Sequence, residues 1–136
     1  MTDRQFTLAQ ATATLPLVRH IVGDIMTEYR RWQELVREFE VVAVNSRADM
    51  PDPRAERLQR QAQSLATDIE SFVAELAALG VEFKGYDLGL VDFPSELEGR
   101  AVLLCWRFGE PAIAFYHDAD AGYSGRQPIP TEVLSR

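Results

Sequence analysis

The stretch His117-Asp118-Ala119-Asp120, with Tyr123 and Arg126 close behind, gathers an imidazole, two carboxylates, a phenol and a guanidinium near the end of a 136-residue chain. Two chemistries use such groups. Carboxylate oxygens and an imidazole nitrogen can hold a divalent metal ion, or can serve as general acid and base. The segment after them, AGYSGRQPIP, sets Gly122 and Gly125 around Tyr123 and Ser124, so its amides and Arg126 could instead meet a small anion. Each group also has a plainer role. Carboxylates at a strand end are solvated or paired with a neighbour such as Arg100, and a tail rich in Gly and Pro is commonly a loop laid along the domain.

The candidate polar site therefore comprises Asp92, Arg100, His117, Asp118, Asp120, Tyr123 and Arg126, with His117 and Asp120 as the candidate ligands of a divalent metal ion. The spacing matches no zinc motif, and in a regular strand His117 and Asp118 point to opposite faces, so both cannot ligate one ion. The glycine-rich segment lacks the lysine and helix entry of a P-loop. No serine sits in a nucleophile elbow, and Cys105, in mid-strand beside Leu103, is expected to be a packed small hydrophobe rather than a reactive thiolate.

Three strands must position these groups. Short runs rich in β-formers, separated by turn residues, predict strands over 88–93, 100–108 and 112–118. A two-residue type II′ turn at Gly109 and Glu110 would set Trp106 opposite Ile113, Leu104 opposite Phe115, Val102 opposite His117 and Ala101 opposite Asp118. Glu110 and His117 then lie ~20 Å apart, at opposite ends of the hairpin. If the loop PSELEG returns the chain in the simplest register, Asp92 opposes Ala101 and stands ~10 Å from Asp118, two strand spacings away. Both faces of this sheet are largely apolar, so helices are expected on one face and a dimer mate or the C-terminal tail on part of the other.

Two long helices precede the strands. Thr7 with Gln10 forms a capping box, and Phe6 stands where a hydrophobic staple begins. Apolar residues from Leu8 to Phe39 recur at alternating spacings of three and four, a heptad seam. The implied helix, 7–44, runs for ~50 Å, with a bend expected at Pro16. Asp52 and Pro53 open a second helix, 53–79, which Gly80 and Val81 close. A short connection between two such seams gives an antiparallel hairpin. Leu17, Ile21, Leu35 and Val42 widen the first seam beyond what two helices use, so the sheet, a second subunit or both must cover it. His20 lies outside the seam and is expected to be solvated.

Composition narrows the function. Hydrophobic residues at 46% and charged residues at 26% are those of a globular domain, so 1–136 is expected to be one α+β domain: the helical hairpin, a three-stranded antiparallel β-meander over 86–118, and a tail over 119–136. The net charge of −7 disfavours nucleic acid as a partner. Without an apolar run long enough to span a bilayer or a signal-like start, the expectation is a cytoplasmic protein that does not enter membranes. The single cysteine excludes an internal disulfide and any zinc site of paired cysteines.

The opening FTLAQATATLPLVRHIV, the block from Asp87 to Ile129 and the helices between them resemble the domain of unknown function numbered 2203, a family of small bacterial proteins. That resemblance implies a stand-alone bacterial domain and transfers no reaction, cofactor or catalytic residue. The first expectation for function is a module that forms a homodimer, or docks a protein partner, through spare apolar surface on helix one or the sheet. The alternative is a metal-dependent or acid/base enzyme, or a small-anion binder, centred on His117.

Overall fold

A computed structural model describes residues 5–134. Helix α1 spans Leu8–Ala43 and α2 spans Pro53–Leu79. An antiparallel sheet follows, in the order β1 (Glu82–Gly85), β2 (Leu90–Leu97), β3 (Arg100–Arg107), β4 (Phe115–Asp118) and β5 (Gln127–Pro128). A 3₁₀ turn, Tyr123–Gly125, precedes β5, and a short helix α3, Thr131–Leu134, ends the described chain. The expected three-stranded meander is thus the centre of a five-stranded sheet. Its two edge strands, four and two residues long, are too short to leave a periodic trace in the sequence.

The helix ends form as their sequences require. Thr7 Oγ1 accepts from the Gln10 amide at 3.1 Å while Gln10 Oε1 accepts from the Thr7 amide at 3.0 Å, completing the capping box. Asp52 caps α2 with Pro53 in its first turn, and Gly80 closes it at φ 90° while the Val81 amide reaches the Leu76 carbonyl at 3.0 Å. Pro16 lies exposed inside α1, which continues through it.

Helix α1 packs on both α2 and the sheet. From Ala11 to Ile25 its buried side chains join Ile69 and Leu76 of α2 and Val91, Phe93, Leu104 and Trp106 of the sheet in one core. Each large side chain buried in this way contributes ~1.5–3 kcal/mol. Past Ile25 the only buried residue of α1 is Leu35. The core therefore covers Ile21 of the wide stripe but leaves Leu17 half exposed, and Met26, Tyr29 and Trp32 line its edge, with Tyr29 stacked on Tyr86 at 4.6 Å.

Both inner hairpins depart from the simplest register. Strands β2 and β3 meet through a two-residue turn, with Leu97 opposite Arg100 and positive φ at Glu98 (53°) and Gly99 (79°), the backbone of a type I′ turn. PSEL is thus strand rather than loop, and Asp92 opposes Cys105, not Ala101. Pro94 fits in mid-strand because its carbonyl points away from β3, accepting from the Phe6 amide at 2.7 Å. Its missing N–H lies on that same side, so no bond to β3 is lost. Phe6 is buried with its ring edge-on to Phe93 at 5.3 Å, and Ser95 Oγ donates to its carbonyl.

Between β3 and β4 the expected II′ hairpin is replaced by a longer connection over 108–114. The Glu110 amide reaches the Arg107 carbonyl at 3.0 Å, and Trp106 Nε1 donates to the Glu110 carbonyl at 2.9 Å, so the chain curls around the indole before rejoining the sheet. Leu103 consequently opposes His117, and Val102 opposes Asp118. A slip of one residue exchanges the faces of a whole strand. Tyr116 turns toward the helices, and His117 and Phe115 turn to the outer face with Cys105.

Gly89, at φ 64°, tests this packing. A Cβ there would lie 2.6 Å from Met26 Sδ and 2.8 Å from Phe108 Cβ, where the loop before β2 presses on α1. Gly89→Ala should cost about 2 kcal/mol or more in urea denaturation, combining clash with positive φ. Gly99→Ala, at φ 79° with nothing within 4 Å, should lose only about 1 kcal/mol.

Candidate functional site

The outer face of the sheet, away from the helices, buries three polar side chains in a row across neighbouring strands. Asp92 comes from β2, Cys105 lies opposite it on β3, and His117 lies on β4 opposite Leu103, two residues from Cys105. They are 3%, 1% and 3% exposed respectively. One ligand-type atom from each, a carboxylate oxygen, Sγ and an imidazole nitrogen, lies within 4.8 Å of the others. The segment after β4 folds back over them, so Ala119, Gly122 and Tyr123 close a cavity of about 210 Å³ whose wall also includes Lys84, Leu90 and Leu103.

Hydrogen bonds settle the orientation of the imidazole. His117 Nδ1 lies 2.8 Å from the Asp118 carbonyl, which can only accept, so Nδ1 carries a hydrogen. Nε2 faces Asp92 Oδ1 at 3.0 Å. One proton must lie between them: either a protonated Asp92 donates to a neutral ring, or an imidazolium donates to the carboxylate. The Cys105 thiol lies beside the same carboxylate, within 4.8 Å, and acts on it electrostatically.

Burial dominates the electrostatics. It pushes the Asp92 carboxyl above the ordinary carboxylate range, opposed by the charge and hydrogen bond of His117. Burial, followed by the charge of Asp92, pushes the Cys105 thiol up to about 12. A neutral thiol is a poor nucleophile, and the carboxylate rather than the imidazole is the neighbour that acts on it. This order differs from a Cys-His nucleophilic pair, in which the imidazole itself takes the thiol proton.

Around this centre a second layer is tied together. Arg126 pairs with Glu110, with only 11% and 17% of the two side chains exposed, and lies 3.8 Å above the Phe115 ring. Arg107 Nη1 donates to Tyr123 Oη at 3.3 Å.

The model of the uncharacterised conserved protein family DUF2203 matches residues 4–129, nearly the whole chain. The chain belongs to this family. No curated protein and no solved structure matches it. The DUF2203 description assigns no chemistry.

Of the residues expected at the site, this DUF2203 chain brings Asp92, His117 and Tyr123 to one cavity. Asp118 contributes its carbonyl, while its carboxylate pairs with Arg100 at 3.3 Å on the exposed strand end. Arg126 lies behind Tyr123, bound to Glu110. Asp120 is exposed in the turn after β4, outside the close group of Asp92, Cys105 and His117. Cys105, expected to be a packing residue, is a member of that group. The signal for it was the pairing register, which only the turn at Glu98 and Gly99 reveals. His20 is exposed, 3.4 Å from Asp24.

Removing one partner from a buried pair should expose how these groups depend on each other. His117→Ala leaves Asp92 buried without its main partner and should cost about 3–5 kcal/mol. Asp92→Asn, whose amide can still donate to Nε2, should cost no more than about 1–2 kcal/mol. Urea denaturation of the two variants checks the order.

Proposed function

We propose that Asp92 Oδ1, Cys105 Sγ and His117 Nε2 bind one divalent transition-metal ion of the zinc class, and that the protein's activity is carried by that ion. The observation that supports this most strongly is the second nitrogen of His117. Its hydrogen bond to the Asp118 carbonyl fixes the tautomer and leaves Nε2 aimed at the other two donors, the outer-shell arrangement typical of metal-binding histidines. Donors at ordinary metal distances in a tetrahedral site stand ~3.3–3.6 Å apart, so residues already within 4.8 Å need only small shifts. Thiolate with imidazole favours zinc, cobalt or iron over magnesium or calcium.

Three protein ligands leave a position open, as in catalytic rather than structural zinc sites, and here the cavity under Tyr123 adjoins the cluster. An ion in this position would polarise a bound water or ligand. The protein is best assigned to the bacterial cytoplasm, where a free thiol stays reduced and able to ligate.

Cobalt or zinc titrated into chelator-treated protein should bind at one equivalent and raise the melting temperature. Binding must displace the Cys105 proton and the proton shared by Asp92 and His117, so affinity should weaken as pH falls. Cys105→Ala and Asp92→Asn should each weaken binding by 10-fold or more while remaining folded. A folded wild-type protein that takes up no metal overturns the proposal.

Dimerisation is favoured by a separate observation at the distal end of the hairpin. Val41, Val44 and Met50 are 69%, 83% and 74% exposed there, beside a depression lined by Val42 and Leu58. Glu38 on α1 and Arg57 on α2 border the same patch, so it is complementary to a second copy of itself turned through a two-fold axis. Light scattering should give a dimer mass at tens of micromolar, with Val41→Glu giving a monomer. A monomeric wild-type chain at that concentration overturns this reading.

A further inference from the structure

Resting on the metal reading above, the outer-sheet cavity also indicates what class of ligand completes the site. A divalent ion held by one thiolate, one carboxylate and a neutral imidazole has no net charge. The charged side chain remaining on the cavity wall is the Lys84 ammonium, carried by β1 on the same face as Asp92. Its Glu82 neighbour, at 3.4 Å, forms a half-exposed surface pair, which is easily exchanged. Other acidic groups nearby are engaged elsewhere: Glu110 with Arg126 and Asp118 with Arg100. Asp120 is exposed to solvent.

Tyr123 adds a hydrogen-bond donor. It lines the cavity and its oxygen accepts from Arg107, which leaves its hydroxyl hydrogen available as a donor. The cavity, about 210 Å³ and open on one side, has room at the cluster for a ligand of a few non-hydrogen atoms.

We infer that the fourth position of the metal takes a small oxygen monoanion of the carboxylate or bicarbonate class, with Lys84 as its counter-charge and the Tyr123 hydroxyl as its donor. The anion replaces a metal-bound water. Its second oxygen lies toward Lys84 and Tyr123. A neutral ligand of the same shape gains no charge attraction, and a dianion leaves one charge unmatched.

Cobalt-loaded protein titrated with acetate separates the two levels of the argument. A sulfur-to-cobalt charge-transfer band reports thiolate ligation by Cys105, and its absence overturns the metal site itself. With the band present, acetate should change the visible cobalt spectrum saturably, and acetamide should not. Lys84→Met should weaken acetate about 10-fold, the effect of one lost charge contact, and Tyr123→Phe by a smaller factor, both with the charge-transfer band retained. A band that acetate leaves unaltered, an equal response to acetamide, or unchanged acetate binding in Lys84→Met overturns the inference while leaving the metal site standing.

Discussion

The two-residue turn at Glu98 and Gly99 decides what the outer face of the sheet contains. With both central residues at positive φ, the turn leaves one register open to β2 and β3, and that register places Asp92 against Cys105. A register longer or shorter by one residue would carry Asp92 toward the helices, among Val91, Phe93 and Trp106, where nothing polar could meet it. The longer connection between β3 and β4 then brings in His117 two residues from Cys105 along the neighbouring strand. The cluster is therefore a product of two turns, neither of which contributes a side chain to it.

Burying a carboxyl, a thiol and an imidazole together is tolerable only because each has a partner. Asp92 lies beside the Cys105 thiol and shares a proton with His117, whose other nitrogen is satisfied by the Asp118 carbonyl. The cover is a thin one, a 3₁₀ turn and two edge residues held by Arg126 between Glu110 and the Phe115 ring. Helices bury the opposite face under a continuous apolar core. A rigid wall behind the donors and a light cover in front suit a site that must hold geometry while admitting a small ligand.

The helical half of this fold was legible because its signals are local. The Thr7–Gln10 capping box, Asp52 before Pro53, and Gly80 act within four residues and override nothing else. The sheet was legible only as three strands, because Glu82–Gly85 and Gln127–Pro128 are too short to show alternation. Register was not legible. Pro94 reads as a loop residue until Phe6, 88 positions earlier, supplies the partner that lets it sit on a strand flank. The Trp106 indole likewise holds the Glu110 carbonyl and lengthens a connection that its glycine suggests is tight. Asp92, His117 and Tyr123 were nonetheless recognisable as polar groups near one strand end. Cys105 was not, since a buried thiol reads as a hydrophobe until its cross-strand neighbour is known.

The long hairpin remains to be reconciled with a site that makes no contact with its far end. Packing the sheet uses α1 only as far as Trp32: its buried side chains in the core end at Ile25, and Met26, Tyr29 and Trp32 pack on that core's edge. Beyond it the two helices bury little more than Leu35, Ala55 and Ala62, and expose Val41, Val44 and Met50 at the tip. Such an extension adds backbone to be ordered while burying little apolar surface, so its own packing contributes little net stability. Contact with another surface would supply the missing burial. The outer-sheet cluster, by contrast, is complete within one chain. Binding at the cluster and association through the tip are therefore structurally separable: a change at Val41 reaches no donor of the site, and a change at Asp92 reaches no residue of the tip.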